Sequence, residues 1–300
     1  MKVLGAILAL IIATHSSAAF DEVLQPAELI EVPSRYQHAL VAELRTGNLH
    51  IYRRLSDGSV MLIDTMPISI GKQGYGKQIE GDAKTPIGVY RITSYLTDEQ
   101  LDDFYGNAAY PVNYPNVWDK RLGRTGSGIW LHAEPYEQKT RPLRDSDGCI
   151  VLSNNDIDKL AEYLDVGYTH VISTPEMQLL TRSAVAQRRS QLKDTLSAWI
   201  ASWEQLDHDA YMSFYADDFH SDDMNFEQWE AYKQRVNSLK TYIDVEFSEL
   251  GLYAYPGEDN MVLAEFYQSY DSSNYRSKGW KRLLLRLDND QWKIIYEGGG

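Results

Sequence analysis

The sequence is poor in cysteine and in positive charge. Cys149 is the one cysteine among 300 residues, which excludes a disulfide within the chain. It is therefore either an inert packing residue or the centre of the chemistry. Lys and Arg number 29 against 43 Asp and Glu, giving a formal net charge of −14. Because an acidic surface repels nucleic acid and anionic lipid, neither is an expected partner.

Long apolar runs are also missing after the first residues. The run Val-Leu-Gly-Ala-Ile-Leu-Ala-Leu-Ile-Ile-Ala at positions 3–13 is shorter than the ~20 apolar residues that a membrane-spanning helix needs. Lys2 precedes it, and small residues at 17–19 suit a signal peptidase. We therefore expect residues 1–19 to be a cleaved signal peptide, with no transmembrane segment in the mature chain. A retained N-terminal anchor is the alternative.

What the chain does contain points to two folded domains. Hydrophobic residues make up 43%, which is too many for a disordered chain. The ~280 residues after the signal suit two domains of ordinary size. Exported proteins usually pair their cysteines or avoid them, so a lone cysteine in such a chain favours a reactive role.

The first predicted domain, residues 38–174, is rich in β-strands. Apolar and polar residues alternate over 38–71 with two turn sequences between, which predicts a meander of three strands. Further strands are predicted within 88–96 and 126–134, and a last one at 169–174.

One helix is predicted inside this domain. Ser153 and Asp156 have the spacing of a capping box, so the helix begins there, and Gly167 is expected to end it. Pro175 marks the domain boundary.

The second predicted domain, residues 191–297, follows a linker at 175–190 that includes the start of its first helix. Helical spacing covers 183–219, and a second helix covers 225–240. Four strand-like runs follow, at 242–255, 260–273, 279–290 and 291–297. Helices followed by antiparallel strands define an α+β domain, so the fold class expected for the whole chain is α+β.

The candidate chemistry centres on the stretch Arg-Asp-Ser-Asp-Gly-Cys at 144–149. A cysteine nucleophile needs a base and two hydrogen-bond donors for the oxyanion. His132 ends a predicted strand 17 residues before Cys149, and Gly148 allows a close approach of backbone to substrate. A neighbouring imidazole can lower the pKa of a thiol. From these residues alone, a buried cysteine and a core histidine remain the commoner reading.

Three separated motifs over residues 38–174 resemble the YkuD-type L,D-transpeptidase family. They are Thr-Pro-Ile-Gly at 85–88, Leu-His-Ala at 131–133 and Ser-Asp-Gly-Cys at 146–149. The stretch 113–132 is similar to a branch of that family with an extra C-terminal domain. The resemblance implies a β-rich catalytic domain.

The resemblance also implies a mechanism on peptidoglycan stem tetrapeptides. Cys149 would attack the carbonyl of the third residue, usually diaminopimelate, while His132 takes the thiol proton and returns it to the departing D-alanine. The Ala133 carbonyl would orient the imidazole, and the Gly148 and Cys149 amides would hold the oxyanion. An amine then accepts the acyl group in a cross-link or protein anchor. No metal and no cofactor is required, and the location would be periplasmic.

Two departures from the family pattern affect this reading. Ala133 stands where the family has glycine, and Asp147 and Val151 replace a histidine and an arginine. Loss of that arginine removes a partner for a substrate carboxylate, a role that Arg141 and Arg144 can assume. The substrate-binding residues expected near the nucleophile are Ser146, Asp147, Arg144, Arg141 and Asn154.

Other readings stay open at this stage. Water as acceptor would make the chain an L,D-carboxypeptidase or a hydrolase of lipoprotein–peptidoglycan links, and a decayed Cys–His pair would make it a cell-wall binding protein. The second domain resembles the SnoaL-like cone fold and is interpreted as a module that binds glycan or a lipoprotein. The loop 71–78 approaches a phosphate-binding motif, but Gln78 replaces its hydroxyl residue. Tyr110, Tyr114 and Trp118 are expected to pack rather than bind.

Overall fold

The computed structural model describes residues 23–136 and 141–299. The predicted signal peptide, residues 1–19, lies outside these ranges. Within them, no helix combines the length and apolar character needed to cross a membrane.

The elements are numbered in chain order. The helices are α1 (Val117–Arg121), α2 (Asn154–Leu160), α3 (Arg182–Glu204), α4 (His208–Met212) and α5 (Phe226–Asn237). The strands are β1 (Leu24–Pro26), β2 (Leu29–Glu31), β3 (His38–Glu43), β4 (Asn48–Arg54), β5 (Val60–Pro67), β6 (Ile70–Gly71), β7 (Gly88–Arg91), β8 (Leu96–Thr97), β9 (Ala108–Pro111), β10 (Trp130–Ala133), β11 (Arg144–Ser146), β12 (Ile150–Leu152), β13 (His170–Thr174), β14 (Leu179–Thr181), β15 (Tyr215–His220), β16 (Ile243–Ala254), β17 (Met261–Ser272), β18 (Arg276–Asp288) and β19 (Gln291–Gly299).

The first domain is built on a five-stranded sheet in the order β5-β4-β3-β13-β7, and it contains the predicted meander. Both faces of β3 are apolar. Leu40 and Ala42 pack into the core of this domain, whereas Ala39 and Val41 face the second domain. Because side chains alternate along a strand, an unbroken apolar strand must be covered on both sides.

A smaller sheet, β12-β10-β9-β8, carries the strand that ends near His132. The run predicted as one strand at 88–96 is divided, because β7 belongs to the large sheet and β8 to this one. Helix α2 begins at its Ser153 cap as predicted, with the Ser153 hydroxyl accepting from the Asp156 N–H at 3.1 Å. It ends at Leu160 rather than at Gly167, whose N–H instead donates to the Ile92 carbonyl at 2.9 Å.

The second domain is a six-stranded sheet, β15-β19-β18-β17-β16-β2, whose core is closed by α3, α4 and α5. The helix predicted over 183–219 is wrong in its last part. Helix α3 ends at Glu204, Leu206 adopts a φ of +58°, and Tyr215–His220 forms strand β15. Tyr215 and Phe219 have helical spacing, but pairing of β15 with β19 overrides that local signal.

The N-terminal segment joins this second sheet, although it precedes the first domain in sequence. Strand β2 pairs with β16 as the sixth strand, and β1 pairs with β14. The buried Glu31 fixes this crossing, because its carboxylate lies 3.3 Å from Arg54, 3.1 Å from Arg189 and 3.0 Å from Lys193. The segments before and after the first domain therefore pair with each other through β1 and β14, and β2 joins the sheet of the second domain.

A buried charge network also joins the two domains. Glu265 on β17 is 3% exposed, and its carboxylate lies 2.7 Å from Arg91, 3.4 Å from His170 and 3.5 Å from Arg282. Burial opposes ionisation of this carboxyl. The hydrogen bond and charge of His170, with the two guanidinium charges, outweigh that effect and lower the pKa of Glu265 to about 2.

Replacing Glu265 by glutamine is expected to destabilise the protein by about 3–5 kcal/mol at pH 7, because it leaves buried cations without a counter-charge. Since its pKa is lowered, the carboxylate stabilises the fold above pH ~4.5, and this contribution is lost as the pH falls toward 2. Denaturant unfolding between pH 7 and 3 measures both effects. Glu246→Gln, an exposed carboxylate on the neighbouring strand β16, is the control. Equal stability of the two variants would refute the role of Glu265.

Candidate active site

Strands β10 and β12 bring the predicted nucleophile and base together. They run parallel, with Leu131 opposite Ile150 and His132 opposite Val151. Cys149 immediately precedes β12 and so lies beside Trp130 at the start of β10. Cys149 and His132 line the same cavity, which has a volume of about 470 Å³. Residues far apart in sequence thus meet through a short parallel strand pair.

The imidazole of His132 is held in one orientation. Its side chain is 2% exposed, and Nδ1 lies 2.7 Å from the Ala133 carbonyl oxygen. Because a carbonyl can only accept, Nδ1 carries the proton and Nε2 is left as the base. Tyr105 packs edge-on against the ring with centroids 5.1 Å apart. Ala133 lies within β10 without a positive φ, so alanine replaces the family's glycine without backbone strain.

Burial keeps both groups neutral in the free protein. It lowers the pKa of His132 to about 4. The hydrogen bond to the Ala133 carbonyl acts in the opposite direction, and the Arg141 charge lowers the pKa further. Burial likewise raises the pKa of Cys149 to about 11. The sequence-based expectation of a lowered thiol pKa is therefore wrong for this resting state, because a neutral imidazole offers no charge to stabilise a thiolate.

The turn at 146–149 presents the thiol and depends on two small residues. Ser146 donates to the Cys149 carbonyl at 2.6 Å and accepts from the Gly148 N–H at 3.2 Å. Its hydroxyl thus holds the turn. Ser146 also lines the Cys149 cavity, and its contact with substrate stays a prediction. Gly148 has a φ of +129°, and a Cβ there would lie 2.8 Å from the Lys84 carbonyl oxygen. The Gly148 amide is already engaged by Ser146, and its oxyanion role stays a prediction.

The predicted substrate-binding residues divide into two groups. Arg141, Ser146 and Asp147 line the cavity with Cys149, whereas Arg144 and Asn154 do not. The Arg144 guanidinium lies over the Gly74 turn, because strand β11 directs it there.

Asn154 is used within the fold. Its Nδ2 donates to the Glu134 carbonyl at 2.9 Å, and its Oδ1 accepts from the Asn107 N–H at 3.1 Å. It therefore links the loop after β10 to the loop before β9, and its contact with substrate stays a prediction.

The cavity also has a charged rim. Arg141 donates through Nη2 to the Asp145 carbonyl at 2.6 Å and has a side chain only 8% exposed. Asp147 is 77% exposed and forms an ion pair with Lys72 at 3.0 Å. This exposed pair contributes little to stability, since surface ion pairs are worth about 0–1 kcal/mol. The cavity lining thus carries side chains of both charges.

Sequence reasoning missed the loop that walls this cavity. It is the glycine-rich stretch 71–78, set aside above because it lacks the hydroxyl residue of a phosphate site. Thr85 fastens it: its Oγ1 accepts from the Gly71 N–H at 2.9 Å, and its carbonyl accepts from the Gly76 N–H at 2.8 Å. The Thr-Pro-Ile-Gly motif is thus the anchor of this loop. The glycines were the available signal in the sequence, but the sequence does not show that Thr85 holds their loop.

Two other expectations concern metals and aromatic residues. Within 23–136 and 141–299, no three His, Cys, Asp or Glu side chains come together as metal ligands. Tyr110, Tyr114 and Trp118 are 4%, 5% and 9% exposed, so they pack in the core as expected.

Comparison with known proteins matches both domains to family models. The family model of the L,D-transpeptidase catalytic domain, YkuD, matches residues 38–172. The model of the Cds6 C-terminal NTF2-like domain matches residues 191–298. Curated proteins gave no match.

Two solved structures are similar over nearly their whole length. Bd1075 of Bdellovibrio bacteriovorus is 30% identical, with 93% of this chain and 98% of that chain covered and a TM-score of 0.80. Pgp2 of Campylobacter jejuni, described as a helical cell shape determining protein, is 30% identical, with 87% and 91% covered and a TM-score of 0.74. The chain belongs to the YkuD L,D-transpeptidase family and carries a C-terminal NTF2-like domain. This confirms the predicted resemblance and the α+β fold class.

Proposed function

We propose that the protein is a peptidoglycan L,D-transpeptidase with Cys149 as its nucleophile. The observation that carries the proposal is the placement of Cys149 and His132 in one cavity, with the Ala133 carbonyl fixing the imidazole so that Nε2 acts as base. Membership of a family that acts on peptidoglycan supplies the substrate class.

The mechanism follows from two neutral groups. As the Cys149 sulfur attacks the third-residue carbonyl, the thiol proton moves to His132 Nε2, so charge separates only in the transition state. The imidazolium then protonates the amine of the departing D-alanine, leaving a thioester on the sulfur. Arg141 at the cavity wall binds a substrate carboxylate in a charge-assisted hydrogen bond. Attack by an amine completes the cross-link or anchors a protein.

The second domain offers a binding cavity of its own, of about 440 Å³. Lys233 lies at its wall with Nζ 4.2 Å from the Trp203 ring centroid and 4.6 Å from that of Trp229. Burial lowers the pKa of Lys233 to about 8. Lys240 and Lys281 line the same cavity. We propose that this domain holds anionic peptidoglycan strands, or a lipoprotein linked to them, and so directs the catalytic domain to the wall.

The proposed location is the periplasm, where the substrate lies and where the signal-like residues 1–19 would send the chain. The likeness to Pgp2 extends the proposal to cell shape: trimming or linking of stem peptides would alter the curvature of the wall. N-terminal sequencing of protein recovered from periplasmic extract tests the location, and a start near Phe20 is expected. An intact Met1 would contradict signal cleavage.

Incubation of the mature protein with tetrapeptide muropeptides, followed by mass spectrometry, tests the activity. Dimers joined through two third-position residues are expected of a transpeptidase. Tripeptide with free D-alanine would instead indicate an L,D-carboxypeptidase. Release of tripeptide from a lipoprotein-linked muropeptide would indicate a hydrolase of that linkage. No product from any of these substrates would favour a cell-wall binding protein.

A further inference from the structure

Two aromatic side chains outside the sequence motifs lie against the imidazole of His132. The ring of Tyr105 meets it edge-on, with centroids 5.1 Å apart and planes at 76°, and the ring of Phe104 lies 6.4 Å away. Tyr105 also packs on Trp130, with centroids 4.9 Å apart. Because Trp130 and His132 are two residues apart on β10, their side chains share one face of the strand. Tyr105 therefore covers that face at the catalytic cavity, which it and Phe104 line.

The loop that carries these rings lies directly on β10. It forms a single 3-10 turn, Asp103–Tyr105, and ends at Gly106, whose φ is +63°. A Cβ on Gly106 would lie 2.5 Å from the Ala133 Cβ and 2.5 Å from the Glu134 carbonyl oxygen. Only glycine allows so close an approach in this conformation. The loop thus rests on Ala133, the residue whose carbonyl orients the imidazole of His132.

Asn154 fastens the same loop from helix α2. Its Oδ1 accepts the Asn107 N–H at 3.1 Å, and its Nδ2 donates to the Glu134 carbonyl at 2.9 Å. A second bond joins loop and helix, from Asn107 Nδ2 to Asp158 Oδ1 at 2.8 Å. A continuous set of contacts therefore runs from α2 through the loop to the ring of Tyr105.

An aromatic cover has two consequences for a general base. It opposes rotation of the imidazole away from the Ala133 carbonyl, so that Nε2 remains the proton acceptor. It also contributes to keeping water from His132, which is 2% exposed, and dry surroundings favour the neutral imidazole. These contacts are made by the ring of Tyr105 rather than by its hydroxyl.

We propose that Tyr105 is a positioning residue for the general base, whose ring fixes the His132 imidazole and shields it from water, and that Asn154 holds the loop that carries this ring. The inference rests on the proposed transpeptidase function. It gives Asn154 a role that acts through His132 instead of through substrate.

The test measures kcat, KM and the pH–rate profile on tetrapeptide muropeptides. Tyr105→Ala is expected to lower kcat by about 10- to 100-fold, as when a catalytic group is misplaced by about 1 Å. Its acidic limb should move from about pH 4 toward 6.5, the ordinary pKa of an imidazole, because access of water favours the protonated ring. Tyr105→Phe keeps the ring and should behave as the wild type. Asn154→Ala should shift kcat and the limb in the same direction, by less, at unchanged KM. Tyr242→Ala, an exposed tyrosine of the second domain, is the control.

The charged groups that line the cavity with His132 are the same in all these variants. They are Lys72, Lys77, Glu80, Arg141, Asp145 and Asp147. A shift of the acidic limb therefore reports loss of the aromatic cover rather than a change of charge.

A role confined to the cavity wall would give a different result. An unmoved acidic limb with only KM raised in Tyr105→Ala would overturn the proposal, and so would equal losses in Tyr105→Phe, which would assign the role to the hydroxyl. A raised KM alone in Asn154→Ala would make Asn154 a substrate contact. If Tyr105→Ala is unstable, Tyr105→Leu keeps the apolar volume without the ring and must show a shift in the same direction.

A measurement without turnover separates this inference from the proposed function. In histidine-labelled free protein, nuclear magnetic resonance follows the titration of the His132 imidazole, with His132→Ala identifying its signal. The midpoint is expected to rise in Tyr105→Ala and to stay in place in Tyr105→Phe, and equal midpoints in all three proteins would refute the positioning role. A wild-type protein inactive on muropeptides would refute the proposed function alone.

Discussion

Replacing Cys149 by alanine is expected to abolish turnover of stem tetrapeptides, by a factor on the order of 10⁶ in kcat, as when a protease loses its nucleophile. The variant removes the sulfur that forms the thioester, and the neighbouring His132 cannot itself replace a covalent nucleophile. The fold should persist, because the hydrogen bond of the thiol to the Gly128 carbonyl, at 3.4 Å, is weak. Muropeptide products and thermal unfolding measure the two effects.

A matched variant strengthens this test. Cys149→Ser keeps the shape of the side chain but replaces the thiol by a hydroxyl of higher pKa. It should therefore be almost as inactive as Cys149→Ala and should bind substrate as the wild type does. Turnover by either variant at more than about a thousandth of the wild-type rate would exclude a thioester on Cys149.

The raised thiol pKa changes how reactivity with small probes is interpreted. Because burial holds the pKa of Cys149 at about 11, slow alkylation of the free protein at pH 7 is expected of the active enzyme as well. A slow reaction therefore does not identify a binding protein. The discriminating signal is the thioester, a mass increase of the acyl stem on the wild type that both Cys149 variants lack.

Local patterns predicted the strands well and the connections poorly. The meander over 38–71 was predicted from the alternation of apolar and polar residues, and the helix cap at Ser153 from its side-chain hydroxyl. Both signals act over a few residues. Strand β15 was missed, because Tyr215 and Phe219 have the spacing of a helix and only pairing with β19 determines their state. The insertion of β2 into the C-terminal sheet was also invisible, since no local signal encodes a partner over 200 residues away.

The candidate site shows the same division. The motif residues Cys149 and His132 share a cavity, as the resemblance implied, since their spacing fits adjacent strands. The neighbours of the motif were assigned by proximity in sequence, and of these Arg144 and Asn154 do not line the cavity. Lys77 lies more than 70 residues from Cys149 and enters the cavity only because Thr85 folds the glycine-rich loop against it.

Replacing His132 by alanine is expected to lower kcat/KM by about 10²- to 10⁴-fold, the usual contribution of a positioned general base. The pH profile gives a signature that a structural role would not produce. Because the pKa of His132 is lowered to about 4, Nε2 stays unprotonated from neutral pH down to about 5, and wild-type activity should hold over that range. It should fall as the pH drops through 4, where the imidazole gains its proton and can no longer accept that of the thiol.

The His132→Ala variant should lose this acidic limb and regain rate as the pH rises toward the thiol pKa, where hydroxide replaces the missing base. His208→Ala, a histidine on α4 in the other domain, should reproduce the wild-type profile. Wild-type activity that instead falls between pH 7 and 6 would mean an imidazole of ordinary pKa. The neutral imidazole would still be the active form, but the lowered pKa derived from the burial of His132 would be wrong.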